Sequence, residues 1–251
     1  MLSLAGKVVV VSGGSRGIGR AVSVLAGELG ARVAVNYRSD EAAAKETVAE
    51  VEARGGSAIA VRADLAVMNE SETLIAETVR AFGRVDAVVA NHGIWKRASL
   101  VEMTEAQWRE TMAINLDGVW ALCRAAARRM IAQGSGSIIA IASTAGQRGE
   151  PHHSHYAASK GALLAFVKSL AAELAPHGIR VNAVSPGWVL TDMSRDALEG
   201  PEGQAAARKI PMGRAGRPEE IAGPVAFLAS DLSSYVYGEV LCVNGGAVMS
   251  V

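Results

Sequence analysis

The chain has 251 residues, 50% of them hydrophobic and 20% charged, so it has ample apolar material for a large core and little that favours disorder. Its 25 basic residues balance 25 acidic residues, and this neutrality argues against the polycationic surface that nucleic-acid binding uses. The two cysteines, Cys123 and Cys242, have no metal-ligand spacing, so we expect reduced thiols rather than a disulfide.

Neither a signal peptide nor a membrane span is expected. The first residues, MLSLAGKVVVVSGG, have no basic region ahead of their apolar run. No segment approaches the roughly 18 to 20 uninterrupted apolar residues that a transmembrane helix requires. The sequence therefore predicts a soluble, cytoplasmic protein that does not bind membranes.

Short runs rich in Val and Ile recur along the chain and predict a series of β-strands. Most of these runs are continuously apolar rather than alternating, which is typical of strands covered on both faces. The predicted strands occupy residues 7–12, 32–37, 57–63, 85–91, 136–143, 179–186 and 238–244.

Segments with helical spacing and good helix formers lie between the strands. The predicted helices occupy residues 19–29, 41–54, 70–82, 105–131, 154–175 and 218–232. This alternation predicts an α/β fold, a single doubly wound, Rossmann-type parallel sheet of about seven strands with helices on both faces. We expect residues 1–251 to form one dinucleotide-binding and catalytic domain.

Residues 187–217 are the least regular part of the chain and contain two prolines and five glycines. We expect them to leave the rim of the sheet as a substrate loop, although a plain surface loop is the alternative. Helix-compatible residues around 191–197 and 203–209 predict that this excursion is partly helical.

The stretch VVVVSGGSRGIGRAV fits two chemistries. Gly13, Ser15 and Gly17 spell the G-x-S-x-G of a serine hydrolase, whereas Gly13, Gly17 and Gly19 form a phosphate-binding turn between a strand and a helix. A hydrolase would need an acid and a histidine converging on Ser15, with an upstream strand for its oxyanion hole, and no strand precedes this one. We therefore interpret the turn as a dinucleotide site in which Ser15 and Arg16 add side-chain donors.

This glycine spacing resembles that of the short-chain dehydrogenase/reductase family, and further family motifs follow in order. They are Asp64-Leu65 after the third strand, Asn91-His92-Gly93 after the fourth, Asn115 in the long middle helix, Ser143 at the end of the fifth strand, Tyr156-x-x-x-Lys160, and Pro186-Gly187 with Thr191 after the sixth strand. His92 replaces the usual alanine of the family's N-A-G motif. The stretches GGSRGIG and NYRSDEAAAKE are most similar to the family's 3-oxoacyl-[acyl-carrier-protein] reductases.

The resemblance implies a nicotinamide dinucleotide cofactor. Family members that use NAD place an acid at the end of the second strand, where this chain has Tyr37 and then Arg38. Together with Arg16, this gives two guanidiniums suited to a ribose 2′-phosphate, which favours NADP(H) over NAD(H). In the alternative, Asp40 supplies the acid, although its position predicts an N-cap of the next helix. The expected cofactor contacts are Gly13, Ser15, Arg16, Gly17, Ile18, Gly19, Tyr37, Arg38, Asp64, Leu65, Asn91, Gly93, Tyr156, Lys160, Pro186, Gly187, Val189 and Thr191.

Tyr156 and Lys160 are four positions apart on a predicted helix, so their side chains share one face. We expect the nearby ammonium to lower the pKa of the tyrosine, about 10 when free, by roughly 1 to 3 units. The resemblance implies interconversion of a ketone and a secondary alcohol by hydride transfer. It assigns proton exchange to Tyr156, ribose binding to Lys160, a hydrogen bond on the substrate oxygen to Ser143, and a water relay to Asn115.

The motifs do not identify the substrate. An acyl thioester, alone or on acyl carrier protein, a sugar, a steroid-like ketone and a xenobiotic carbonyl are all compatible with the motifs. Arg97, Arg128 and Arg129 are candidates for a basic patch that could receive acyl carrier protein near the mouth of the site. A non-catalytic dinucleotide sensor is the alternative to an enzyme, and the intact Ser143, Tyr156 and Lys160 argue against it.

Several side chains are expected near the substrate. Three histidines crowd the residues before Tyr156, but their spacing and the missing fourth ligand argue against a metal site, so we expect them to line or cap the pocket or to be exposed. Two tryptophans and a glutamine are candidate substrate contacts, with plain packing as the alternative. These residues are His152, His153, His155, Trp95, Trp188 and Gln147.

The resemblance also implies an oligomer, usually a tetramer built from the long middle helix and the helix of Tyr156. The segment YAASKGALLAFVKSLAAELA has small and apolar residues on more than one face. Such a helix can pack against its own sheet and against another subunit. We therefore expect a homotetramer.

Overall fold

The computed structural model describes residues 1–249 and contains one parallel sheet of seven strands in the order β3-β2-β1-β4-β5-β6-β7. The strands are β1 (Val8–Val11), β2 (Arg32–Tyr37), β3 (Ser57–Arg62), β4 (Ala87–Ala90), β5 (Gly136–Ile141), β6 (Ile179–Pro186) and β7 (Val240–Val243). Every neighbouring pair is parallel. The predicted doubly wound, Rossmann-type sheet is confirmed.

Helices connect the strands. They are α1 (Gly17–Glu28), α2 (Glu41–Ala53), α3 (Glu70–Phe82), α4 (Glu105–Met112), α5 (Gly118–Gln133), α6 (Thr144–Arg148), α7 (Ser154–Leu174), α8 (Arg195–Glu199), α9 (Pro201–Arg208) and α10 (Pro218–Ala229). Short 3-10 turns follow α7 at Ala175–His177 and α10 at Asp231–Ser233. Within the described part of the chain, no helix combines the length and the apolarity needed to cross a membrane.

Two apolar layers cover the two faces of the sheet, and the side chains of β1 show why its sequence is continuously apolar. Val10 packs with Leu122 of α5 in one layer, whereas Val9 and Val11 pack with Ile221 of α10 in the other. Each of these side chains is almost completely buried. Alternate residues of one strand thus fill opposite layers, so an all-apolar strand is required.

The middle helix differs from the continuous helix predicted over residues 105–131. A π-helical segment, Ala113–Asp117, separates α4 from α5. Its wider turn is the kind of local distortion that often accompanies functional positions. Asn115 lies in this segment and is fully buried.

The excursion predicted at residues 187–217 is partly helical, as expected, with shifted boundaries. The first helix, α8, begins at Arg195 rather than near Thr191, because Ser194 turns the chain by bonding to Thr191. The second, α9, begins at Pro201, a residue suited to a first helical turn. A bridge between Val189 and Gly216 joins the two ends of the excursion.

Candidate active site

A cavity of about 720 Å³ opens at the carboxyl ends of the strands, beside the point between β1 and β4 where the strand order reverses. Doubly wound sheets bind their ligands at this position. Apart from Gly19, all of the residues predicted to contact the cofactor line this cavity, and so does Ser143. The structure thus brings together side chains from turns that are far apart in the sequence.

The turn between β1 and α1 has the backbone geometry of a phosphate cradle. Gly13 and Gly17 adopt φ angles of +58° and +52°, the left-handed region that favours glycine. A Cβ on Gly19 would lie 2.1 Å from the carbonyl oxygen of Gly13, so only glycine lets α1 begin this close to the strand. The N-cap residue Arg16 makes no side-chain cap, which leaves N–H groups of the first turn for an anion.

Three polar side chains that the sequence analysis did not assign support this cradle: Ser12, Asn36 and His92. Ser12 Oγ accepts the N–H of Asn91 at 2.8 Å and lies 2.7 Å from His92 Nδ1. Asn36 Oδ1 accepts the N–H of Gly13 at 3.1 Å. A polar residue inside the apolar run VAVNY was a usable signal for Asn36, whereas the pairing of Ser12 with His92 exists only in three dimensions.

His92, the departure from the family's alanine, fills the space between Ser12 and Gly118. A Cβ on Gly118 would lie 2.9 Å from its Nε2, so glycine at that position makes room for the ring. Burial and then the charge of Lys160 lower the pKa of His92 to about 3. The imidazole is therefore a neutral group at physiological pH and adds no charge to the cavity.

The end of β2 carries no acidic side chain. Tyr37 and Arg38 line the cavity there, together with Arg16. Asp40 accepts the N–H of Ala43 at 3.0 Å and caps α2, which confirms its predicted N-cap position. Its other carboxylate oxygen lies 3.9 Å from the Arg16 guanidinium. Two guanidiniums border this end of the cavity, one of them loosely paired with Asp40.

Ser143, Tyr156 and Lys160 converge at the other end of the cavity. Tyr156 and Lys160 lie one turn apart near the start of α7, with Lys160 Nζ 5.8 Å from the centroid of the tyrosine ring. Lys160 Nζ donates to the carbonyl oxygen of Ile141 at 2.7 Å. Ser143 Oγ caps α6 by accepting the N–H of Ala145 at 3.1 Å.

Burial governs the titration of the tyrosine and the lysine. It raises the pKa of Tyr156 to about 12, although the adjacent Ser143 hydroxyl lowers this pKa and the charge of Glu150 raises it further. It lowers the pKa of Lys160 to about 8. The expected lowering of the tyrosine pKa is wrong, because desolvation sets the direction of the shift. The Lys160 ammonium donates instead to the Ile141 carbonyl. Tyr156 is a protonated phenol at neutral pH.

Asn115 lies behind the cavity wall rather than on it. Its Oδ1 accepts the N–H of Ile94 at 2.8 Å, and its Nδ2 donates to the carbonyl of Ile94 at 2.9 Å. Nδ2 also donates to Ser159 Oγ at 3.3 Å, next to Lys160 in the chain. Asn115 thereby holds the loop after β4 against α7, and the water relay stays a prediction.

Two tryptophans and a glutamate line the substrate end of the cavity. Trp95 stacks on His153 with centroids 4.3 Å apart and planes 6° apart, and Trp188 meets Trp95 edge-on at 5.6 Å. Trp95 Nε1 donates to Glu150 Oε1 at 3.2 Å. Both tryptophans are among the substrate contacts predicted from the sequence, whereas Glu150 is not, because no motif gives a signal for it.

The expectation for the three histidines is wrong for two of them. His153 and His155 are buried and do not line the cavity. His153 is stacked against Trp95, and the rotation of α7 turns His155 away from the side on which Tyr156 lies. His152 is exposed, which was one of the expectations. Across residues 1–249, no group of three His, Cys, Asp or Glu side chains could hold a metal ion.

Gln147 does not line the cavity, and its contacts fit the alternative of plain packing. It points away from the cavity, accepting from the Ser185 hydroxyl at 3.1 Å and placing Nε2 3.2 Å from Cys242 Sγ. Cys242 is a free cysteine, as is the buried Cys123, so the predicted reduced thiols are confirmed within the described residues.

The basic patch considered for Arg97, Arg128 and Arg129 does not form within this chain. Arg128 pairs with Glu72 at 2.8 Å, and Arg129 donates to the carbonyl of Gly83 at 2.8 Å. Both lie toward the carboxyl end of α5, which runs antiparallel to the strands. They therefore lie at the edge of the sheet opposite the cavity.

The hydrolase alternative finds no support around Ser15. No histidine or carboxylate among residues 1–249 hydrogen-bonds to its hydroxyl, and the nearby His92 is engaged by Ser12. The carbonyl of Ser15 accepts the Thr47 hydroxyl at 3.1 Å, so this contact holds the turn. Ser15 lines the cavity as part of the cradle.

Comparison with known proteins gives a consistent set of relatives. The family model described as enoyl-(acyl carrier protein) reductase matches residues 13–248. A 3-oxoacyl-[acyl-carrier-protein] reductase of Synechocystis sp. is 40% identical, over 99% of this chain and 100% of its own. An L-rhamnose 1-dehydrogenase (NAD(P)(+)) of Azotobacter vinelandii is 42% identical, over 98% of each chain.

Among solved structures, a Beutenbergia cavernae protein proposed as an NAD(P)-dependent gluconate 5-dehydrogenase has a TM-score of 0.92 and 42% identity. The match covers 98% of each chain, and that structure contains NADP at low occupancy. The chain is therefore similar over almost its whole length to relatives whose names point to different substrates.

Proposed function

The chain belongs to the short-chain dehydrogenase/reductase family, and from this premise we propose that it interconverts a ketone and a secondary alcohol with NADP(H). The observation that carries the proposal is the convergence of Ser143, Tyr156 and Lys160 on the cavity that also contains the glycine turn. A sensor that had lost catalysis would have no use for a half-buried tyrosine and a buried lysine at the substrate end.

The dinucleotide would lie along the cavity from the end of β2 to Tyr156. The left-handed glycines and the first turn of α1 would hold its pyrophosphate, since backbone N–H groups there lack a side-chain cap. Arg16 and Arg38 would hold a 2′-phosphate, which supports NADP(H) over NAD(H). When bound, the reduced nicotinamide supplies a hydride to the carbonyl carbon of the substrate.

The chain's own residues would handle the substrate oxygen. Tyr156, a protonated phenol at neutral pH, donates its proton to that oxygen as the carbon is reduced, so the product is the neutral alcohol. Ser143 donates a hydrogen bond to the same oxygen and stabilises its developing negative charge. Lys160 binds the nicotinamide ribose, and Asn115 positions the proton relay behind it.

The names of the relatives indicate two substrate classes. A 3-oxoacyl thioester, with acyl carrier protein as a partner, is supported by the Synechocystis relative. A sugar or sugar acid is supported by the Azotobacter and Beutenbergia relatives.

A homotetramer is part of the same proposal. Large apolar side chains lie exposed on α4 and α5, namely Trp108, Trp120 and Ile131. Exposed apolar area of this kind marks surfaces that bind another protein surface. The predicted tetramer, built on the middle helix and α7, would cover it.

The test is a screen of nicotinamide turnover. Purified protein is mixed with NADPH and a panel containing an acetoacetyl thioester, keto sugars and simple ketones, and with NADP⁺ and the corresponding alcohols and sugars. Substrate-dependent absorbance change at 340 nm is expected with at least one carbonyl or alcohol. Ester hydrolysis without any use of the cofactor would contradict the proposal.

A further inference from the structure

The substrate end of the cavity contains a fixed carboxylate. Glu150 lies between α6 and α7, lines the cavity, and keeps 23% of its side chain exposed. Its charge reaches Tyr156, whose pKa it raises. Both residues line the same cavity, so a ligand that bonds to Tyr156 shares this cavity with the carboxylate.

One oxygen of Glu150 is engaged by the protein and the other is left for a ligand. Oε1 accepts from Trp95 Nε1 at 3.2 Å. His153 Nδ1 lies 3.6 Å from the same oxygen but hydrogen-bonds to the carbonyl of Pro151 at 3.1 Å. None of the described residues donates a hydrogen bond to Oε2. Oε2 is not among the buried atoms that lack a partner, so solvent in the cavity reaches it and a ligand hydroxyl can donate to it in place of water.

The tryptophan that orients Glu150 is itself held in place. His153 covers one face of the Trp95 ring in a parallel stack, and the ring of Trp188 lies at 89° to it. Trp95 and Trp188 both line the cavity. The site thus sets a rigid aromatic surface beside a carboxylate, which suits a molecule with an apolar C–H face and hydroxyl groups at its edge.

The hydrogen-bonding character of Glu150 separates the two substrate classes. Desolvation raises the pKa of Glu150 above its ordinary value, and in its ionised form this carboxylate only accepts hydrogen bonds. A 3-oxoacyl thioester presents only carbonyl acceptors around the reacting carbon, so it has no donor for Oε2. A sugar or sugar acid presents a hydroxyl on the carbon next to the reacting one, and that hydroxyl can donate.

Building on the proposed hydride-transfer function, we propose that the substrate is a polyhydroxylated carbonyl compound or its alcohol, such as a sugar or sugar acid. Glu150 accepts a hydrogen bond from a hydroxyl close to the reacting carbon. Trp95 and Trp188 pack against the C–H surface of the same molecule. Glu150 is thereby a specificity-determining residue and takes no part in the proton transfer.

The experiment compares kcat/KM for aldoses and sugar acids with kcat/KM for an acetoacetyl thioester, in wild type and Glu150→Gln. Wild type is expected to prefer its best polyhydroxylated substrate by about 100-fold or more. Glu150→Gln keeps an oxygen for Trp95 but removes the charge, and it should reduce that preference by about 10-fold or more, since a hydrogen bond to a charged group is lost. Thermal unfolding checks that the variant is folded.

Glu105→Gln is the matched control, because Glu105 is exposed, pairs only with Arg109, and lies outside the cavity. It should leave the preference unchanged. A wild type that prefers the thioester, or a Glu150→Gln variant with an unchanged preference, would overturn the substrate inference while leaving hydride transfer intact. Absence of nicotinamide turnover with every compound would instead overturn the proposed function itself.

Discussion

Burial acts in opposite directions on Tyr156 and Lys160. Burial raises the pKa of the Tyr156 phenol to about 12, so the phenol stays protonated. It lowers the pKa of the Lys160 ammonium to about 8, so this group loses its proton more readily. Both changes follow from desolvation of the charged form, and the ammonium has the Ile141 carbonyl as its hydrogen-bond acceptor. The phenol therefore has a proton to donate when a carbonyl substrate is reduced.

The first prediction concerns the proton of Lys160. Unfolded lysine keeps its proton up to about pH 10.4, whereas the folded chain loses it near pH 8, so the unfolded state binds more protons in this window. Stability therefore rises with pH between these values. Relative to Lys160→Met, the free energy of unfolding of wild type should increase by about 3 kcal/mol across the window. Urea unfolding of both proteins at several pH values measures this, and a flat difference would mean that the ammonium is solvated.

The second prediction concerns cofactor choice. Arg38 lines the cavity at the end of β2 without an acidic residue at that strand end. Arg38→Ala should lower kcat/KM for NADPH by about 10-fold or more, since a charge-assisted bond to the 2′-phosphate is lost, and should change kcat/KM for NADH much less. Steady-state kinetics with both cofactors decides this. Equal wild-type rates with NADPH and NADH would contradict the assignment.

At the scale of elements, α6 and α7 set the distance between Ser143 and the tyrosine–lysine pair. Ser143 caps α6, and Gly146 of this helix packs directly against Gly161 of α7. A Cβ on Gly146 would lie 2.5 Å from the carbonyl carbon of Lys160. Only glycine lets the two helices approach this closely.

Gly146→Ala is therefore expected to push α6 away from α7 and to misplace Ser143. A shift of about 1 Å can cost about 100-fold in rate, so kcat/KM should fall by that order while NADPH binding, measured by fluorescence, changes little. The control is Gly223→Ala in α10, where a Cβ would contact nothing within 4 Å. The control should keep full activity. Normal turnover by Gly146→Ala would contradict this view of the helix pair.

The sequence predicts long elements well and short or distorted ones poorly. Seven apolar runs and six helical patterns appear in the structure, because burial on both faces makes the strands continuously apolar and burial of one face gives the helices their period. Helix α6 has five residues and depends on the Ser143 cap, so it shows no periodicity. The π-helical segment at Asn115 differs from an α-helix by its hydrogen bonds alone, and residue type gives no signal for it.

At the scale of the molecule, parallel topology explains why the cavity residues could be predicted from motifs. All strands end at the same edge, so motifs that follow β1, β3, β4, β5 and β6 must meet there. The sequence does not predict which way the side chains point in the segments that follow these strands. Glu150 lines the cavity, whereas His155, five residues later, is buried away from it, and the rotation of α7 decides this.

The proposed homotetramer is a prediction for the whole molecule. Light scattering should give about four times the mass of one chain. Trp120→Lys, on the exposed face of α5, should reduce this mass, because a charge is placed on the apolar surface. Met68→Lys, an exposed residue outside α4, α5 and α7, should leave it unchanged. A wild-type monomer at working concentration would contradict the assembly.

The central claim is that Tyr156 donates the proton that accompanies hydride transfer, and Tyr156→Phe tests it most directly. The phenyl ring keeps the packing of the half-buried side chain and removes only its hydroxyl. With the best substrate of the screen, NADPH oxidation should fall by about 1,000-fold or more, within the range of general acid catalysis, while the Kd for NADPH stays within a few-fold of wild type. Turnover by Tyr156→Phe at a rate close to wild type would contradict the account.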